Sequence, residues 1–171
     1  MMKRYNKGTY KVVEINNMTA LRSGQMAAQS VAIKTDFPEG VLENGLILGY
    51  KEVTLDGAKT LGLAPYTGGA AIFLHYTEEL FVEGVTQLNT FALEFDEEGV
   101  AYPRGLALNI GDVFTTNNVD VVEPGYFNVV NGLLTAVGES EPESGHIFYG
   151  IKSYLPDGET EAVEFTYMGV K

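Results

Sequence analysis

The sequence predicts an all-β fold, a single small barrel or sandwich of short antiparallel strands, and three observations carry that expectation. Turn dipeptides recur at close spacing: Asn44-Gly45, Asp56-Gly57, Asn131-Gly132 and Asp157-Gly158. Each supplies residues that tolerate the positive φ of a tight hairpin. The runs between them are short and rich in β-branched and aromatic residues, and helical periodicity is almost absent.

The stretch 105–117, GLALNIGDVFTTN, organises the rest. Its first half reads as an apolar strand, Gly111-Asp112 as a corner, and Val113 to Thr116 as the next strand, so that successive strands pack on each other. Leu106, Leu108, Val113 and Ile72 or Leu74 are expected inside.

Along the chain, the first strand-like run is 10–15, closed by Asn16 and Asn17. Residues 18–29 (MTALRSGQMAAQ) contain helix formers interrupted by Gly24, which predicts an irregular or briefly helical segment. SVAIK (30–34) reads as a strand, and TDFPEG (35–40) as a turn in which Pro38 fixes φ. Two β segments flank Asn44-Gly45 in 41–53, and a second hairpin turn falls at 55–57. A bend at Gly68 and Gly69 precedes AAIFLHY (70–76), a candidate central strand. Thr77 is suited to cap a single helical turn over 77–81, with acids in its first turn.

Strand-like runs follow at 90–95 and 100–102, separated by an exposed acidic turn, and then at 119–122, 126–130 and 133–137. The acidic loop 138–145 (GESEPESG) leads to a closing pair, 146–154 and 162–168, joined by a Pro-Asp-Gly turn.

Composition narrows the class of function. The 171 residues suffice for one domain with a sizeable core, 45% are hydrophobic, and no apolar run approaches the ~20 residues of a membrane-spanning helix. The polar, basic start has no apolar segment of the kind that follows the basic region of a secretory signal. No cysteine is present, which excludes disulfides, thiolate metal sites and a cysteine nucleophile.

A formal charge of −12 argues against a general nucleic-acid binder, because such binding draws on basic residues that displace counterions from phosphates. The charge is also unevenly placed. Residues 1–22 hold five bases and one acid, whereas 23–171 hold six bases and 22 acids. This split predicts a basic N-terminal arm (1–22) and an acidic β-rich body (23–171). The arm is either a solvated tail or a docking device for an acidic neighbour, with Lys3, Arg4, Tyr5, Lys7, Tyr10, Lys11 and Arg22 as partner-binding residues.

Residue patterns for catalysis are weak. His75 and His146 are far apart in sequence and have no zinc-binding spacing. Ser140, in GESEP, lacks the second glycine of a nucleophile elbow and has acidic neighbours. Asp96, Glu97 and Glu98, and likewise Glu139, Glu141 and Glu143, read as solvated loop acids; an opportunistic hard-cation site is the alternative at either cluster. Gly68 and Gly69 have no following Lys-Ser or Lys-Thr, so no Walker-type loop is present. The expectation is a protein without catalytic residues, metal or cofactor.

Glu43, Asn44 and Gly45 with Gly49, and downstream Gly111, Asp112 and Phe114 flanked by Leu108 and Thr115, form an E-N-G segment and a G-D-x-F segment. Over residues 30–137 this order resembles small virion proteins of tailed bacteriophages, whose β-rich bodies decorate or support the head. The shared motifs are structural turns, not a chemical signature. The resemblance implies a non-enzymatic capsid decoration, cement or fibre-base protein located in the virion. Its partner would be the major capsid protein or another virion protein, a further copy of itself being the alternative. A carbohydrate or host-surface binding module is the second class, and an acidic hydrolase, for which no base can be assigned, the third.

Overall fold

The computed structural model describes residues 11–23, 30–37, 41–53, 59–64, 71–76 and 93–171. The expected turns at 56–57 and 68–69, the helical turn at 77–81 and the first ten residues lie outside them. In the first part of the chain come β1 (Val13–Asn17), the short helix α1 (Thr19–Ser23), β2 (Ser30–Ile33), β3 (Val41–Leu42), β4 (Ile47–Val53), β5 (Lys59–Leu63) and β6 (Ile72–His75). Then follow β7 (Leu93–Glu94), β8 (Val100–Ala101), β9 (Gly105–Ala107) and β10 (Val113–Thr116). The C-terminal strands are β11 (Gly125–Val130), β12 (Leu133–Gly138), β13 (His146–Tyr154) and β14 (Glu161–Val170).

These strands build the expected all-β architecture as sandwich-like sheets without barrel closure. The first sheet runs β1-β10-β14-β13-β11-β12 and is antiparallel throughout. The second runs β8-β2-β5-β4-β6-β9 and is mixed, because β2 and β5 are parallel. A small β3-β7 pair is hydrogen-bonded to neither but packs against the second through Leu42 and Leu93.

Alternation decides which residues fill the core. Along β14, Val163, Phe165 and Tyr167 point inward, and Phe114, Phe127 and Phe148 join them from neighbouring strands. Ile47, Ile72, Leu74 and Leu106 of the second sheet meet them across the interface. The other face of the second sheet presents Leu48, Leu61 and Phe73, which pack with Phe37, Leu42 and Ala101. Strand β6 is therefore buried at all four positions, which explains why IFLH reads as a continuous apolar run and not as an alternating one.

Several expectations need correction. The inward residue of β10 is Phe114, not Val113, and Leu108 is only half-buried. The strand expected through Ile110 stops at Ala107; Ile110 sits on the turn and is 76% exposed. Residues 119–122 contribute an isolated bridge from Val119 to Leu134, not a strand. Asp120 there accepts the Ala136 N–H at 2.9 Å and so occupies part of the open edge of β12.

The arm boundary at residue 22 also moves. Residues 11–22 belong to the body: β1 pairs with β10, Val13, Met18 and Ala20 are buried in the main core, and Asn117 Oδ1 accepts the Val12 N–H at 2.8 Å. Hydrophobic burial and strand pairing outweigh the local charge bias that suggested an arm. A chain beginning at Ser23 would lose the edge strand β1 and the core side chains of Val13, Met18 and Ala20.

Two Asn-Gly turns hold the sheets together at one end. The Asn131-Gly132 turn between β11 and β12 reaches the second sheet, where Gly132 donates its N–H to the Ala64 carbonyl and accepts the Ile47 N–H at 2.8 Å. The Asn44-Gly45 turn approaches the first sheet in return, and Asn118 Nδ2 donates to the Asn44 carbonyl at 2.9 Å. Both glycines have positive φ, and a Cβ on Gly45 would lie 2.6 Å from Thr116 Oγ1 while one on Gly132 would lie 2.6 Å from Leu63 Cδ2. The sequence requirement here is steric as well as conformational.

Candidate functional site

The residues with the most suggestive chemistry in the sequence prove to be built into the fold. His75 ends β6, fully buried, with Nδ1 2.8 Å from the Glu43 carbonyl. A carbonyl can only accept, so Nδ1 carries the hydrogen. Burial pushes the imidazole pKa down to about 4, the bond to Glu43 offsetting part of the shift. His146 lies against Tyr167, with Nδ1 2.9 Å from the phenol oxygen; burial lowers the pKa of the histidine and raises that of the tyrosine. The two histidines lie in different sheets and form no common centre.

The depressed pKa of His75 makes folding sensitive to acid. Between pH 6.5 and about 4 the unfolded chain binds a proton that the folded chain does not. Stability is therefore complete above pH 6.5 and declines as the pH falls towards 4, by on the order of 3 kcal/mol for this group. Denaturant melts between pH 7.5 and 4 should show that decline, and His75→Gln should flatten it. An unchanged slope in the variant would assign the effect elsewhere.

The acidic clusters do not converge. Asp96 Oδ1 accepts the N–H groups of Glu98 and Val100 at 3.0 and 2.9 Å and shapes its own turn. Glu139, Ser140, Glu141 and Glu143 are exposed, and Glu141 pairs with Lys171 at 2.7 Å. Among the described residues no three His, Cys, Asp or Glu side chains are grouped to hold a metal. Of the proposed arm residues, Lys3, Arg4, Tyr5, Lys7 and Tyr10 lie outside the described residues. Lys11 is half-buried at the start of the body, and Arg22 is exposed on α1.

Asp112 has a larger role than its turn chemistry suggested. It is 2% exposed; Oδ1 accepts both the N–H and the hydroxyl of Thr19 at 2.9 and 2.8 Å, and Oδ2 accepts the Asn109 N–H at 2.9 Å. The carboxylate thus fastens the start of α1 to the β9-β10 turn. Glycine followed by aspartate signals the turn, but nothing local identifies Thr19 as the partner.

The outer face of the first sheet is the candidate interaction surface. Val113, Thr166, Tyr149 and Tyr126 are successive cross-strand partners on β10, β14, β13 and β11. Because Phe114, Phe165 and Phe148 point inward, this row points outward. Tyr126 and Tyr149 meet edge to face with ring centroids 5.1 Å apart. Ile151 and Met168 extend the exposed apolar surface beside Tyr149, which is itself 42% exposed. The sequence showed no clustered tyrosine platform, because these tyrosines meet only through the β11-β13 pairing.

No family model matches this chain, nor does any curated protein or solved structure.

Proposed function

We infer that this is a non-enzymatic virion structural protein that seats on a capsid surface through the outer face of its first sheet. The observation that carries the reading is the exposed row of Tyr149, Ile151 and Met168 on paired strands whose opposite side is anchored in the main core. A rigid sheet presenting apolar and aromatic side chains suits a protein partner, since such groups are enriched where interfaces are driest. The E-N-G and G-D-x-F turns support the same reading through their resemblance to phage virion proteins. The basic residues of 1–11, with Arg22, would add attraction to an acidic neighbour, either the capsid protein or a second copy.

The test is co-sedimentation with particles assembled from the major capsid protein of the phage that this reading implies as the source. Ile151→Thr combined with Met168→Thr should reduce binding at least tenfold, and because both side chains are about half exposed and threonine keeps strand propensity, the cost in stability should stay within about 1 kcal/mol. Removing residues 1–10 should weaken binding at low salt and much less at high salt, where exposed charges are screened beyond about 8 Å or less. Undiminished binding by the sheet variant would overturn the reading. The Tyr126–Tyr149 pair favours a second reading, saccharide binding, which would appear as protection of those rings by oligosaccharide without particle binding.

A further inference from the structure

Beside the two Asn-Gly turns, the seam between the sheets opens into a cavity of about 270 Å³. Phe37, Leu46, Leu63 and Leu133 supply apolar walls, and Glu43 and Asn118 supply polar ones. Asn118 is the informative residue. It is 4% exposed, its backbone N–H donates to Thr116 Oγ1 at 3.0 Å, and its Nδ2 donates to the Asn44 carbonyl at 2.9 Å. The Asn44 carbonyl can only accept, so the amide orientation is determined and Oδ1 must be the other end. No described residue donates to that oxygen. A buried acceptor left without a donor costs about 1–3 kcal/mol, so the site calls for a donor from outside the described protein.

We propose that this cavity is a binding site for a small uncharged molecule with one apolar ring or short chain and one hydroxyl, the hydroxyl donating to Asn118 Oδ1. Size and charge both select this class. An apolar cavity of about 150 Å³ already accommodates benzene, whereas drug-sized ligands occupy about 300–1,000 Å³, so the space suits a substituted single ring. An ionised carboxylate has no hydrogen to offer Asn118 Oδ1 and would set acceptor against acceptor, which disfavours anions. The site is independent of the outer face of the first sheet and goes beyond the capsid-binding role.

Benzyl alcohol, toluene and benzoate are suitable probes for titration of the intact protein, followed by amide NMR and by melting temperature. Benzyl alcohol should give saturable shifts at Leu46, Asn118 and Leu133 and raise the melting temperature, because a ligand that binds only the folded state stabilises it. Toluene should bind at least fivefold more weakly, and benzoate should leave these amides unmoved. Filling the cavity with Leu133→Trp, or with Leu63→Phe if the first variant fails to fold, should abolish the benzyl alcohol shifts. Asn118→Leu should make benzyl alcohol and toluene equivalent. Absence of a saturable benzyl alcohol response, its persistence in a folded cavity-filled variant, or equal binding of the two probes by the unaltered protein would each overturn the proposal.

Discussion

Replacing Phe165 with alanine is expected to destabilise the protein by about 3–5 kcal/mol, the range for deleting a buried aromatic side chain and leaving a cavity. Phe165 is fully buried on β14 and touches three other aromatic rings, with centroids 4.9 Å from Phe127, 5.6 Å from Phe114 and 6.2 Å from Phe148. These rings come from three neighbouring strands, so the void would open where the first sheet faces the second. For a chain of this size the melting temperature should fall by roughly 10 °C. Val137→Ala, on the exposed side of edge strand β12, should stay within about 0.5 kcal/mol. Chemical denaturation of both variants measures the contrast, and a Phe165→Ala loss below 1 kcal/mol would mean that the core closes around the gap.

Asp112→Ala is expected to cost roughly 3 kcal/mol, although it removes far less apolar surface. The lost carboxylate would leave the Thr19 N–H, the Thr19 hydroxyl and the Asn109 N–H without their acceptor. Hydrogen bonds to a charged group contribute about 1.5–3 kcal/mol each, and solvent entering the gap would recover part of the total. Asp112→Asn should fall between wild type and alanine. Its oxygen can still serve Thr19, but its NH₂ would face the Asn109 N–H, donor against donor. Hydrogen exchange should localise the damage, with faster exchange at Thr19 and Asn109 than at the β13-β14 hairpin. Uniform acceleration across the sheet, or no change at Thr19, would contradict the role assigned to this carboxylate.

How well the sequence could be read depended on the range of the interaction. The Asn131-Gly132 hairpin and the β13-β14 pair were legible because turn chemistry and alternation act within a few residues. The Asp157 turn is an instance: its carboxylate accepts the Glu159 and Thr160 N–H groups at 2.9 and 2.8 Å, all within one loop. The arm boundary was misplaced because charge is a local average, whereas the pairing of β1 with β10 joins residues about a hundred positions apart. The cavity was equally hidden, since Asn118 and Asn44 are distant in sequence and neither carries a recognisable ligand motif.

The sequence by itself determined the all-β class, the hairpin turns at Asn131-Gly132 and Asp157-Gly158 and the apolar runs that form strands, because these follow from the φ preferences of Asn-Gly and Asp-Gly and from side-chain periodicity; Asn44-Gly45 is a tight turn but joins β3 to β4, which pair with other strands. Only the tertiary structure decided that Phe114 and not Val113 points inward, that β2 and β5 run parallel, that Tyr126 and Tyr149 pair on the outer face of the first sheet, and that Asp112 receives Thr19. Those outcomes depend on which strands become neighbours and in which register. Long-range burial of apolar surface selects that arrangement, and no short window of residues encodes it.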